Sequence, residues 1–155
     1  MRTLAPLALV ALLGCSGSGT PDAGLPDSGV VDCTHDPRVT AYAPNLSVTD
    51  PAGNRQYVLV QGSPAPPARG NNTWTVKVLD SSGAPLPDLD LSANTFMPDH
   101  GHGSSVVPTV TANGDGTYAV TPLYFFMPGV WRVTVSDADG GSSATAGVWF
   151  FCVEG

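Results

Sequence analysis

Two of the three histidines in this 155-residue chain lie close to a methionine, in the stretch FMPDHGHG at residues 96–103. A second methionine lies in the stretch FFMPG at residues 125–129. The thioether sulfur of methionine is a soft ligand that suits Cu(I), and imidazole binds copper in either oxidation state. We therefore predict one copper ion, as Cu(I), held by a set of four side chains that we call the Met/His cluster: Met97, His100, His102 and Met127.

The spacing of the cluster favours convergence on one point. His100 and His102 are two positions apart, so an extended backbone projects both side chains to one side, and Gly101 between them lets the chain bend. Both methionines precede a proline, which marks the end of a strand entering a turn. We expect the two turns to meet at one rim of a β-sandwich.

Two other interpretations of these residues stay open. Zn²⁺ bound by His100, His102 and Asp99 is the first, because imidazole and carboxylate are common zinc ligands. In the second, the histidines form a solvated glycine turn and the methionines fill the core. The protein would then be an immunoglobulin-like structural or protein-interaction domain of the cell envelope. The chain contains no Gly-x-Ser-x-Gly motif, and we do not expect an enzyme, a metal-dependent one being a weaker third possibility.

The elements that position these residues are predicted to be short strands with turn signals about every ten residues. Residues 73–79 alternate most clearly, with Trp74, Val76 and Val78 on one face. No segment has a helical period. The predicted strands are residues 39–42, 57–60, 73–79, 95–97, 106–110, 117–121, 123–126, 130–135 and 144–152, with residues 86–91 as a poor strand or a connector. The pattern favours an all-β, immunoglobulin-like β-sandwich of about seven to nine short strands.

The charge of the chain restricts its partners. Lys and Arg total 6 against 13 Asp and Glu, which gives a net charge of −7. An acidic surface argues against nucleic acid and against anionic membrane surfaces as partners.

The first residues indicate an exported protein with a lipid anchor. Arg2 precedes an apolar run at residues 4–13, which is too short to span a bilayer. The run ends at Cys15 in a sequence that resembles a bacterial lipobox, although an ordinary secretory signal with an incidental cysteine is the alternative. We predict a signal peptide at residues 1–14, a lipidated Cys15 with a flexible linker to residue 32, and one domain at residues 33–155. Ser16, rather than aspartate, favours the periplasmic side of the outer membrane.

The remaining cysteines, Cys33 and Cys152, are then left as a pair in an oxidising compartment. A disulfide between them would tie both ends of the domain together and stabilise it by up to ~4.7 kcal/mol on the chain-entropy model. Alternatively, Cys33 and His35 would form part of a metal site.

Five of these segments, in their order, resemble the YtkA-like domain family, which is related to the FixH group of membrane proteins. They are WTVKV at 74–78, DSSG at 80–83, FMPDHGHG at 96–103, GTY at 116–118 and FMPGVWRV at 126–133. The resemblance covers roughly residues 72–135. It implies an immunoglobulin-like domain outside the cytoplasmic membrane and an association with copper handling, including cytochrome oxidase assembly. Unlike the FixH type, this sequence shows no transmembrane helix. We thus predict a lipid-anchored copper chaperone or buffer, with an envelope protein or copper acceptor as partner.

Overall fold

The computed structural model describes residues 32–137 and 145–155, which form nine β-strands and no α-helix. The strands are β1 (Leu46–Thr49), β2 (Arg55–Ser63), β3 (Gly70–Asp80), β4 (Leu91–Met97), β5 (His102–Gly103), β6 (Thr109–Ala112), β7 (Thr117–Phe125), β8 (Gly129–Asp137) and β9 (Ala146–Val153). The predicted all-β sandwich of seven to nine strands is confirmed.

The strands form two antiparallel sheets. The first has the order β1-β2-β3-β7-β6, and the second has the order β5-β4-β8-β9. Strand β4, which ends at Met97, therefore lies beside β8, which begins just after Met127. Strand β6 begins one residue after Pro108 and lies at the edge of its sheet, as expected near a residue that has no backbone N–H to donate.

The core lies between the sheets and follows the alternation of their strands. In β3 the side chains of Trp74, Val76 and Val78 are fully buried, as predicted. Trp74 contacts Trp149 and Phe151 of the opposite sheet edge-on, with ring centroids 5.9 and 5.4 Å apart. Each fully buried apolar side chain of this kind contributes about 1.5–3 kcal/mol relative to an exposed one.

The prediction of a strand at residues 39–42 was wrong, and so was the division of residues 117–126 into two strands. Residues 39–42 are not a strand. The Thr40 N–H donates to the Phe150 carbonyl at 2.9 Å, but this hydrogen bond does not extend into strand pairing with β9. The first strand is β1, Leu46–Thr49, which the sequence analysis missed. Residues 86–91 were predicted as a poor strand or a connector, and residues 86–90 form a connector from the bridge between Pro85 and Leu79 to β4, which begins at residue 91. Residues 117–125 form one strand, opposite an irregularity in the pairing of β3.

The predicted disulfide between Cys33 and Cys152 is present, with Cα atoms 5.3 Å apart and a sequence separation of 119. It ties the segment that precedes β1 to the end of β9. Because the Cys33 sulfur is bonded to Cys152, it is not a free thiolate for the alternative metal site with His35.

The predictions for the signal peptide at 1–14, for lipidation of Cys15 and for nearly all of the linker at 15–32 lie outside the described residues. Within the described part of the chain, no helix has the length and apolarity needed to cross a membrane.

Candidate metal site

The turn between β4 and β5 carries His100, and His102 is the first residue of β5. The backbone N–H groups of His100 and Gly101 both donate to the Met97 carbonyl, at 3.2 and 2.9 Å. Gly101 has φ +70°, a conformation that glycine adopts without steric cost. The chain therefore reverses sharply, and His102 pairs directly with Met97 across the two strands. Residues opposite each other in an antiparallel pair project to the same face.

Met97 occupies the last inward position of β4 and is fully buried in the core. Its methyl group lies against Gly129 at the start of β8, so close that a Cβ added to Gly129 would lie 2.7 Å from the Met97 Cε. The thioether thus reaches the segment that follows Met127. It lies at the margin of the core, closed from solvent in this structure.

The two imidazoles are neighbours. The ring of His100 is exposed and edge-on to that of His102, with centroids 5.6 Å apart and an interplanar angle of 73°. His102 is half-buried because its ring stacks on Phe126, with centroids 5.5 Å apart and planes inclined by 25°. Phe126 immediately precedes Met127, so this stacking joins the β4–β5 turn to the β7–β8 turn.

Met127 lies in the β7–β8 turn and is half-buried against the core. Its carbonyl accepts a hydrogen bond of 3.0 Å from Trp131 Nε1. Phe126 packs edge-on against the same indole, with centroids 5.5 Å apart. Trp131 therefore contacts the β7–β8 turn twice, through the backbone of Met127 and the ring of Phe126.

The sequence analysis missed Arg38, which binds the carboxylate that borders the cluster. Its Nη1 and Nη2 atoms donate to the two carboxylate oxygens of Asp99, each at 2.7 Å, while its Nε and Nη2 atoms donate to Asp36 at 2.8 and 2.6 Å. The hydrogen bonds from Arg38 lower the pKa of Asp99 below its usual value and that of Asp36 to about 2. Asp99, which would supply the carboxylate in the zinc interpretation, is therefore already bound to Arg38.

No three His, Cys, Asp or Glu side chains in the described ranges are grouped so that they could hold a metal ion. A metal at the rim would therefore draw on the methionine sulfurs as well as the imidazoles. A cavity of about 840 Å³ lies elsewhere, and no member of the Met/His cluster lines it. Its lining comes mainly from the segment after Cys33, the proline-rich loop at 64–69 and the end of β9.

These features define a class of protein: a disulfide-closed, two-sheet β-sandwich domain in which two Met-Pro turns meet at one rim. The family model described as YtkA-like matches residues 49–136, more than half of the chain, and the protein belongs to this YtkA-like family. The resemblance inferred from the sequence motifs is confirmed.

No curated protein matches the chain significantly. A solved structure that does match is the copper-bound form of a variant of FetP from uropathogenic Escherichia coli. The two chains are 13% identical, with a TM-score of 0.39, over 74% of this chain and 92% of the FetP chain. A similarity this distant carries no functional argument.

Proposed function

We propose that this protein is an exported copper-binding module that holds Cu(I) at the Met/His cluster and serves as a chaperone or buffer. The observation that carries the proposal is the contact between the β4–β5 and β7–β8 turns. The His102 ring stacks on Phe126, the residue before Met127, and the Met97 methyl group lies against Gly129, two residues after it. These two contacts support a site in which thioethers and imidazoles from distant segments would share one ion.

The surroundings of the cluster suit a soft, weakly hydrated ion. Cu(I) prefers thioether and imidazole ligands, whereas hard divalent ions prefer oxygen. The rings of Phe126 and Trp131 supply apolar surface beside His102 and the β7–β8 turn, and an apolar shell of this kind tunes the properties of a metal site. Met97 has three rotatable side-chain bonds, so its sulfur can turn toward an ion without movement of β4.

Anaerobic titration of the protein with Cu(I), in competition with a chromophoric chelator, tests the proposal. We expect one Cu(I) per chain with a dissociation constant well below micromolar. A Met97→Leu, Met127→Leu double variant conserves side-chain volume and so should keep the fold. We expect it to bind about 100-fold more weakly, a loss of about 2.7 kcal/mol.

The third histidine supplies the control for this titration. His35 is 93% exposed and precedes β1, so His35→Ala should leave Cu(I) affinity unchanged. Wild-type binding weaker than micromolar, or equal binding by the double methionine variant, would remove the copper function.

One observation favours a second candidate function. Met97 is fully buried among the core side chains, as a methionine with a purely structural role would be. If the double variant binds as the wild type does, or neither binds, the protein is better described as an interaction domain of the cell envelope. Its partner would then be another envelope protein.

We also propose that the protein is anchored to the periplasmic face of the outer membrane through a lipidated Cys15. The support is the apolar run before Cys15 and the small Gly14 beside it. Stable anchoring requires more than one acyl chain, which a lipidated N-terminal cysteine provides. From this position the domain would exchange copper with an acceptor protein.

A further inference from the structure

The guanidinium of Arg38 bridges two carboxylates at the edge of the Met/His cluster. It forms a bidentate pair with Asp99, with both N–O distances at 2.7 Å. Asp99 follows Pro98 in the β4–β5 turn and directly precedes His100. Arg38 comes from a different part of the chain, 61 residues earlier, in the segment that follows Cys33.

This pairing affects the choice of metal at the rim. A carboxylate together with two imidazoles is a common ligand set for Zn²⁺ and other divalent ions. The bidentate pair uses both oxygens of Asp99 in charge-assisted hydrogen bonds, which solvent weakens because the Arg38 and Asp99 side chains are 36% and 50% exposed. A divalent ion that recruited Asp99 would have to break both bonds and leave a guanidinium without this partner.

We propose that Arg38 determines the metal specificity of the rim: by holding both oxygens of Asp99, it withholds the carboxylate from divalent ions and leaves a site suited to Cu(I). The role in copper selection rests on the proposed function. The exclusion of Zn²⁺ does not, because it depends only on Arg38, Asp99 and the two imidazoles.

The position of Arg38 is set independently of the histidine turn. Asp36 accepts hydrogen bonds from the backbone N–H, the Nε and the Nη2 of Arg38, at 2.9, 2.8 and 2.6 Å. The Asp36 N–H donates to the Cys33 carbonyl at 3.2 Å, and Cys33 is fixed by its disulfide. Removing the guanidinium therefore releases Asp99 while β4, β5 and the disulfide stay in place.

The test compares Zn²⁺ and Cu(I) affinities of full-length variants by competition with a chelator for each metal. Arg38→Gln should raise Zn²⁺ affinity about tenfold or more, the range over which such outer contacts alter metal binding, and should change Cu(I) affinity less than about threefold. Arg38→Lys keeps the charge but loses the planar fork, so we expect a smaller gain in Zn²⁺ affinity. Adding Asp99→Asn to Arg38→Gln should abolish the gain.

Arg69→Gln is the matched control for charge. Arg69 donates to the Phe126 carbonyl at 3.3 Å, so it borders the same rim without binding Asp99. If Arg69→Gln raises Zn²⁺ affinity as much as Arg38→Gln does, the effect is one of net charge and the inference is overturned. The same holds if the gain in Arg38→Gln persists when Asp99→Asn is added. No gain in Arg38→Gln would also overturn it. If the wild type fails to bind Cu(I) but the Asp99-dependent Zn²⁺ gain appears, the copper function fails while the exclusion of Zn²⁺ stands.

Discussion

Two groups of aromatic rings in this domain are built in different ways. The central group, Trp74, Trp149 and Phe151, joins the two sheets, and no member is more than 2% exposed. The rim group consists of Phe126, Trp131 and His102, of which Phe126 is 37% exposed and His102 half-buried. Edge-on contacts dominate the central group, whereas the rim group also contains the stacked pair of Phe126 and His102.

The difference lies in what determines each contact. The central rings lie at alternating positions within strands, so the register of the sheets fixes them. Two of the rim rings belong to the ends of turns, and their contacts depend on how those turns are folded. Met97 takes part in both kinds of contact. It continues the inward alternation of β4, and its methyl group lies against Gly129, where the β7–β8 turn ends. The proposed metal site thus lies where the regular strands end and the turns begin.

The largest effect on stability is expected from the central group. Trp74→Ala removes a fully buried indole that contacts rings on the opposite sheet. We expect the free energy of unfolding, measured by urea denaturation, to fall by about 3–5 kcal/mol. A loss below about 1 kcal/mol would contradict the view that this group holds the two sheets together.

A smaller loss of stability is expected at Gly129, where the core contacts the end of the β7–β8 turn. Gly129→Ala places a Cβ 2.7 Å from the Met97 Cε at φ +135°, a backbone conformation that L residues rarely adopt. Backbone strain of about 1–3 kcal/mol is expected, together with about 1–3 kcal/mol for overpacking. Relief of the overpacking within the core reduces the sum, so we expect a loss of about 2–4 kcal/mol in urea denaturation.

Gly114→Ala is the matched control, because Gly114 has φ +84° but open space where its Cβ would lie. It should cost only the strain of a left-handed residue, about 1–2 kcal/mol. The Met97→Ala substitution should cost less in the Gly129→Ala background than in the wild type. Additive losses would show that Met97 does not press on Gly129 in solution.

The sequence predicted the features that follow from a local pattern or from a residue count. The alternation of residues 73–79 placed Trp74, Val76 and Val78 inward, and all three are buried. The pairing of Cys33 with Cys152 followed from the odd number of cysteines once Cys15 was assigned to the lipid anchor. The inward position of Met97 was harder to see, because β4 buries polar Thr95 and points Phe96 outward beneath Arg132.

The contacts at the rim depend on residues far apart in the chain, and no local pattern reveals them. Arg38 is one of only six basic residues in an acidic chain, which predicts some carboxylate partner but does not single out Asp99. The stacking of Phe126 on His102 depends on two turns folded independently. Whether the four members of the Met/His cluster share an ion stays a prediction for the titration.

The smallest effect on stability, and the most specific one, is expected at Phe126. Phe126→Ala removes a ring that is 37% exposed, so the free energy of unfolding should fall by about 1–2 kcal/mol, below the full burial value for phenylalanine. The loss of the stacked ring should shift the His102 imidazole C–H resonances by several tenths of a ppm, roughly the size of a ring-current effect at this centroid separation. Tyr124→Ala is the control, since Tyr124 stacks on the Phe126 ring at 6.5 Å. Equal shifts of the His102 signals in both variants, or none in Phe126→Ala, would mean that the two turns do not meet as described.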